Sequence, residues 1–281
     1  LRPTPGLVPT WPTDFLWDDL QVTGIMARTA SDVGLALSAV AGRDPAVPVS
    51  RDPVGDLDAI GPATLEGRRL AFCPDVAGIG IDATVERVCR EAIETLRETG
   101  AEVEEIALDL SAGREAFLAL RGWWMVIQQY RRLDRLEELG DNLRGNVEAG
   151  LRTTTRDLAA AEHTRAALYA QVLELLGRFD ALITPSMAVS PFPVEENYPR
   201  TVGGREMATY VDWIAPTFVL SLTALPVASV PCGRDRGGMP VGLQLVGPPR
   251  GEAGVLALAA AVQEVRPMGR APLRRGSETA D

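Results

Sequence analysis

RRLAFCPDVAGIGIDATVERVCREAIETLRETGAEVEEIAL, Arg68 to Leu108, sets the fold class. The run RRLAFCPDV is continuously apolar at its centre and stops at Pro74, which reads as a short buried strand. IDATVERVCREAIETLRETG follows with Val85, Val88, Ala92, Ile93 and Leu96 at helical spacing, and Gly100 is placed to end the helix. AEVEEIAL then alternates polar and apolar residues, as a strand does. Strand, helix and strand at this spacing make a βαβ-like unit, so the chain is α/β.

Working back from this unit, Arg43 to Pro62 holds four prolines and reads as a surface connection. Before it, Thr29 to Asp32 supplies helix-starting side chains, and VGLALSAVAG keeps helical spacing until Gly42. Arg28 and Asp32 lie four residues apart at that start, a spacing suited to an ion pair and N-terminal capping, so both are expected to be structural.

Working forward, two long helices are predicted, from Gly113 to about Leu139 and from about Thr155 to Arg178. FDALITPSM reads as a buried strand closing in a Pro-Ser turn. TYVDWIAPTFVLSLTAL is expected to be helical and interrupted before Pro216. LPVASVPCG and MPVGLQLVGPP are strands joined by the hairpin loop RDRGG, and Gly242 in the second permits a close approach. GEAGVLALAAAVQEV is the last helix. Residues 1–265 read as one domain portion and 266–281 as a frayed tail.

Composition narrows the function classes. The 281 residues are 46% hydrophobic and 23% charged, with a net charge of −10. An acidic chain lacks the basic footprint that a nucleic-acid partner requires. All 28 cationic residues are arginine, which points to a G+C-rich, bacterial gene and leaves no lysine base in the chain. Three widely spaced cysteines without a CxxC suggest neither a zinc site nor a disulfide framework, and fit a reducing cytoplasm. No secretory signal or membrane-spanning run is legible.

Little of the residue inventory carries chemistry by itself. The one histidine, His163, reads as a surface residue, which rules out the usual zinc ligand sets and HExxH. No cofactor or metal is expected. GxSxG, GxxxxGK[ST] and GxGxxG are absent. Glu104 and Glu105, adjacent in a strand, point to opposite faces and form no dyad. Cys232 reads as a spectator thiol. The Thr184-Pro185 end of a buried strand is where α/β proteins place ligand-facing loops. Trp123 reads as core or as the wall of an apolar pocket.

Taken together, four segments resemble the amidase signature family, the amidohydrolases with a Ser–cis-Ser–Lys triad. LRPTPGLVP (Leu1 to Pro9) is similar to its GL[KR]PTxGxVP, and GIMARTASDVGLALSAVAGRDP (Gly24 to Pro45) to its GpMaRtvxDaallLxviaGxDp. FDALITPSM matches FDxLLTPT, and SLTALPVASVPCGRDRGGMPVGLQLVGPP (Ser221 to Pro249) matches NLTGLPAxSVPxGxxxGLPVGLQLxGxP. Ser221 replaces the usual Asn, and Ala224 the usual Gly, which predicts an altered loop before Pro226.

The resemblance implies a mixed, twisted central sheet with helices on both sides. It implies hydrolysis of a small carboxamide through an acyl-serine, with Thr184, Pro185 and Ser186 bordering the substrate funnel and Trp123 and Trp213 favouring acyl or aryl amides. It places the family's lysine, cis-serine and nucleophile upstream of LRPTP, so the chain is expected to be inactive alone. It is also expected to self-associate or to pair with an N-terminal half. Two alternatives stand beside this reading. One is the glutamine-hydrolysing A subunit of an amidotransferase, with Ile214 where such subunits place an Asp and Asp212 two residues away. The other is a non-catalytic remnant or half of a split amidase.

Overall fold

Helix α1 (Ala30–Val40) precedes strand β1 (Arg69–Phe72), helix α2 (Ala83–Glu98) and strand β2 (Glu102–Glu105) in a computed structural model that describes residues 1–269. β1 and β2 pair in parallel, from Arg69 opposite Glu102 to Phe72 opposite Glu105, which completes the predicted βαβ unit. Helix α2 buries Val85, Val88, Cys89, Ala92, Ile93 and Leu96, and Gly100 ends it in the left-handed conformation at φ +92°.

Helices α3 (Gly113–Gln128), α4 (Asp141–Arg152) and α5 (Thr155–Leu176) lead into strand β3 (Ala181–Pro185). A short hairpin of β4 (Thr201–Val202) and β5 (Arg205–Glu206) follows, then helix α6 (Ala215–Ser221), strands β6 (Val227–Arg234) and β7 (Pro240–Val246), and helix α7 (Glu252–Val265). The main sheet has the order β2-β1-β3-β7-β6. β3 runs parallel to β1, and β7 runs antiparallel to both β3 and β6, so the sheet is mixed.

Side-chain alternation divides the core between the two faces of this sheet. Leu70, Phe72, Ile183, Leu243, Leu245, Val230 and Cys232 pack with α1, α2 and α7. Ala71, Leu182, Val227 and Val246 pack with α3, α5 and α6. Helices therefore cover both sides, as the resemblance implied.

Several boundaries differ from the sequence expectation. The helix expected to reach Leu139 ends at Gln128, and the chain continues through single 3₁₀ turns at Tyr130–Arg132 and Leu136–Glu138. Neither turn buries a residue, so no tertiary packing holds that segment helical. Helix α4 was not among the expected elements, and Gly145 and Gly150 within it lower its intrinsic helix propensity. Pro216 stands in the first turn of α6, where its missing N–H costs nothing, after a separate 3₁₀ turn at Asp212–Ile214.

At the start of α1, no ion pair between Arg28 and Asp32 forms among the described residues. Thr29 is the N-cap, accepting from the Asp32 amide at 3.0 Å, and the Arg28 carbonyl accepts from Gln263 Nε2 at 3.3 Å. The capping oxygen is a hydroxyl at the residue before the helix, which leaves Asp32 in the first turn to face the positive end of the dipole.

Arg266, expected at the start of a frayed tail, is anchored: its Nε donates to the Cys232 carbonyl at 2.9 Å. Residues 270–281 of that tail lie outside the described residues. Arg2 fastens the LRPTP segment to the sheet. Its backbone exchanges hydrogen bonds with Val227, and its guanidinium donates to the carbonyls of Ser221 and Leu20. Burial, then the like charge of Arg165, pulls this guanidinium down to about 10.

Candidate active-site cavity

Strand β3 delivers its end to the mouth of a cavity. Thr184 and Pro185 are buried within the strand, where the Pro185 carbonyl accepts from Gln244 Nε2 at 3.2 Å. Ser186 is the first residue beyond it, and its amide donates to the Gly242 carbonyl of β7 at 2.8 Å. The Ser186 hydroxyl lies 2.7 Å from the hydroxyl of Ser229 on β6. Both line a cavity of about 540 Å³ together with Met187, Phe192, Trp213 and Pro231.

Phe192 and Trp213 form the aromatic wall, edge to face at 5.1 Å between centroids. Trp213 sits in the 3₁₀ turn before α6, which is tied down by the preceding residue. The Asp212 carboxylate accepts from Arg114 Nη2 of α3 at 2.6 Å, from Arg114 Nε at 2.8 Å and from the Thr209 amide at 2.7 Å. Burial pushes the Asp212 carboxyl up, but the Arg114 and Thr209 hydrogen bonds and the Arg114 charge outweigh it, so its pKa lies below the ordinary aspartate value. Nearby, the Tyr210 hydroxyl accepts from Arg121 Nη2 of α3 at 3.1 Å and from Asn146 Nδ2 of α4 at 2.5 Å.

Of the sequence-predicted pocket residues, Ser186 and Trp213 meet in this cavity. Thr184 and Pro185 lie in the strand that supports it, and the Thr184 hydroxyl is buried without a hydrogen-bond partner among the described residues. Trp123 does not line the cavity: it packs edge to face against Phe15 at 5.1 Å on the outer part of α3 and is 40% exposed. The spacing of Trp123 and Trp124 on a helix left open which of them faces inward, and it is Trp124 that donates to Asp18, at 2.5 Å.

Other candidate groups take no part. His163 is exposed on α5. Glu105 grips Arg90 at 2.6 Å on the open strand β2, in an ion-pair cluster that also holds Glu86 at 2.8 Å from Arg90. Cys232 is fully buried, and contact with its thiol, together with burial, raises the Cys89 thiol above its usual range. Among the described residues, no group of three or more His, Cys, Asp or Glu side chains is placed to hold a metal ion. No described helix is long and apolar enough to cross a membrane.

Sequence reasoning missed Ser229 and Phe192. The alternation of β6 places Ser229 on one strand face, but only the register across β7 brings it to Ser186, 43 positions away.

The model of the family described as Amidase matches residues 1–256. The chain belongs to the amidase family. An acylamidase of Rhodococcus erythropolis is 28% identical over 95% of this chain and 57% of its own length. The A subunit of the glutamyl-tRNA(Gln) amidotransferase of Cenarchaeum symbiosum is likewise 28% identical, over 96% of this chain and 60% of its own length. Among solved structures, a bacterial aryl acylamidase superposes with a TM-score of 0.82 at 20% identity, over 95% of this chain and 58% of that one. A 6-aminohexanoate cyclic dimer hydrolase superposes at 0.81 with 19% identity, over 95% and 60% of the two chains. The structural likeness shows the shared fold. This amidase-family chain spans less than two thirds of the length of these relatives.

In this amidase-family chain, Ala224 takes the left-handed backbone conformation at φ +58°, the region that favours glycine. The loop before Pro226 thus keeps a glycine-like turn despite its side chain. Ser221 bonds back into α6, its hydroxyl donating to the Thr217 carbonyl at 3.0 Å.

Proposed function

We propose that this chain forms the substrate-lining part of an amidase that hydrolyses an uncharged acyl or aryl carboxamide to a carboxylate and ammonia or an amine. The observation that carries this reading is the roughly 540 Å³ cavity walled by Phe192 and Trp213, with no charged side chain among its described lining residues. An ionised ligand entering it would lose hydration without gaining a counter-charge, whereas a neutral ring or alkyl chain gains from apolar burial. The acyl-serine chemistry rests on a serine nucleophile, a cis-serine and a lysine that this reading places outside the chain, which itself contains no lysine. The serine attacks the amide carbonyl, its proton passes through the cis-serine to the lysine and on to the leaving amine, and water releases the carboxylate.

The glutamine-hydrolysing amidotransferase is the second reading, favoured by the 28% identity to its A subunits. Its glutamine substrate carries both an ammonium and a carboxylate. Asp212, the acid nearest the position where such subunits place one, is already engaged by Arg114 and the Thr209 amide. The test is ammonia or amine release from anilides, alkyl amides and glutamine by the protein expressed from its whole gene. Neutral amides are expected to react, and a preference for glutamine would overturn the assignment. The 281-residue chain alone is expected to turn over none of them.

A further inference from the structure

We propose that Ser186 and Ser229 act together as a hydrogen-bonding station on the cavity floor, selecting neutral ring substrates that carry a hydroxyl or amide group beyond the scissile bond. This rests on the reading of the cavity as a site for uncharged amides and adds a specificity element to it.

The pair is built by the sheet. Ser186 follows β3 and Ser229 belongs to β6, with β7 running between them. Neighbouring strands stand about 4.8 Å apart, so side chains two strands apart do not ordinarily touch. Here they meet over Gly242, which leaves the face of β7 bare at that point. A Cβ added at Gly242 would lie 2.9 Å from the Ser186 hydroxyl oxygen and 3.3 Å from Ser186 Cβ. The Ser186 amide bonded to the Gly242 carbonyl fixes the backbone from which the hydroxyl projects.

Counting donors shows what the station offers. Two hydroxyls carry two O–H donors and four lone pairs between them. Their mutual bond uses one of each, and neither has another hydrogen-bond partner among the described residues. One donor and three lone pairs are therefore open to the cavity. The Phe192 and Trp213 rings line the same cavity and supply apolar contact for a ring ligand. The arrangement accepts a polar substituent without charge, because a pair of neutral hydroxyls offers either a donor or an acceptor and no compensating charge.

The test is titration of the protein with acetanilide, 3-hydroxyacetanilide and 4-hydroxyacetanilide, followed by tryptophan fluorescence and calorimetry. At least one hydroxylated ring is expected to bind about three- to tenfold more tightly than acetanilide, the range of one net hydrogen bond. Ser186→Ala and Ser229→Ala should each abolish that preference, and Ser229→Thr should restore it. Gly242→Ala, whose added Cβ would lie 2.9 Å from the Ser186 hydroxyl oxygen and displace it, should abolish it as well. Equal binding of all three rings by the unaltered protein, or a preference that survives both serine substitutions, would overturn the station and leave the neutral-amide reading intact. Binding of glutamine with none of the anilides bound would overturn both.

Discussion

Helices α3 and α4 cross where Gly122 and Gly150 place backbone against backbone, and replacing Gly150 by alanine tests whether that contact holds the site in place. The new Cβ would lie 2.5 Å from the Gly122 carbonyl carbon and 2.9 Å from Val126 Cγ2, with the Gly122 carbonyl oxygen closer still. Most of this obstruction is the α3 backbone, which has no flexible end to swing aside, so the helices must part by about an ångström and forfeit contact along their crossing. Overpacking of this kind costs about 1–3 kcal/mol, against a gain of about 1 kcal/mol in helix propensity for Gly→Ala. The net expectation is destabilisation of up to about 2 kcal/mol. Gly145 is the matched control in the same helix: it is exposed, and a Cβ there meets nothing within 4 Å. Gly145→Ala should therefore stabilise by about 0.5–1 kcal/mol. Urea unfolding followed by far-UV circular dichroism, with an unchanged slope, separates the two variants. The displacement also reaches the cavity wall, because Arg121 on α3 and Asn146 on α4 both bond the Tyr210 hydroxyl, three residues before Trp213. Gly150→Ala should weaken anilide binding as well, and a variant at least as stable as the parent would refute the close-crossing account.

Three further outcomes are expected. Ala224→Gly should raise stability by about 0.5–1 kcal/mol, since it relieves left-handed strain at φ +58° and gives back part of that through a freer unfolded chain; a lowered melting temperature would contradict this. Asp212→Asn should destabilise by about 1–2 kcal/mol, below the value for a fully buried pair because the Arg114 side chain is 36% exposed. Since the folded Asp212 carboxyl titrates below its ordinary 3.8, its contribution is complete above that pH and is lost as pH falls through the folded value. Parent and variant should accordingly differ most at neutral pH and converge in strong acid, and a gap independent of pH would count against the ion pair. Finally, β6 is the terminal strand of the sheet, and Trp11 and Trp17 are exposed, so the purified chain should self-associate in light scattering; a monodisperse monomer would exclude this.

Much of the fold was legible because its signals are local. The apolar face of α2, the alternation along β2 and the Asp-Arg-Gly-Gly turn between the last two strands each lie within one helix, one strand or one hairpin. The sheet's helical cover on both sides followed from family motifs in the right order. The misread segments are those where local signals lose to packing. Gly150 disfavours a helix until α3 is laid against it, and Gln128 looks like mid-helix although Tyr130–Arg132 just beyond it buries no residue.

The amino-acid sequence by itself determined an acidic, lysine-free α/β chain, the amidase resemblance, and Ser186 and Trp213 as pocket candidates. Only the tertiary structure decided that Trp123 stands apart, that Asp212 is consumed by Arg114, and that Ser186 meets Ser229 over Gly242. Periodicity tells a residue which face of its own element it occupies. Strand register and helix crossing bring together residues 43 and 98 positions apart, and these depend on the packing of the whole sheet.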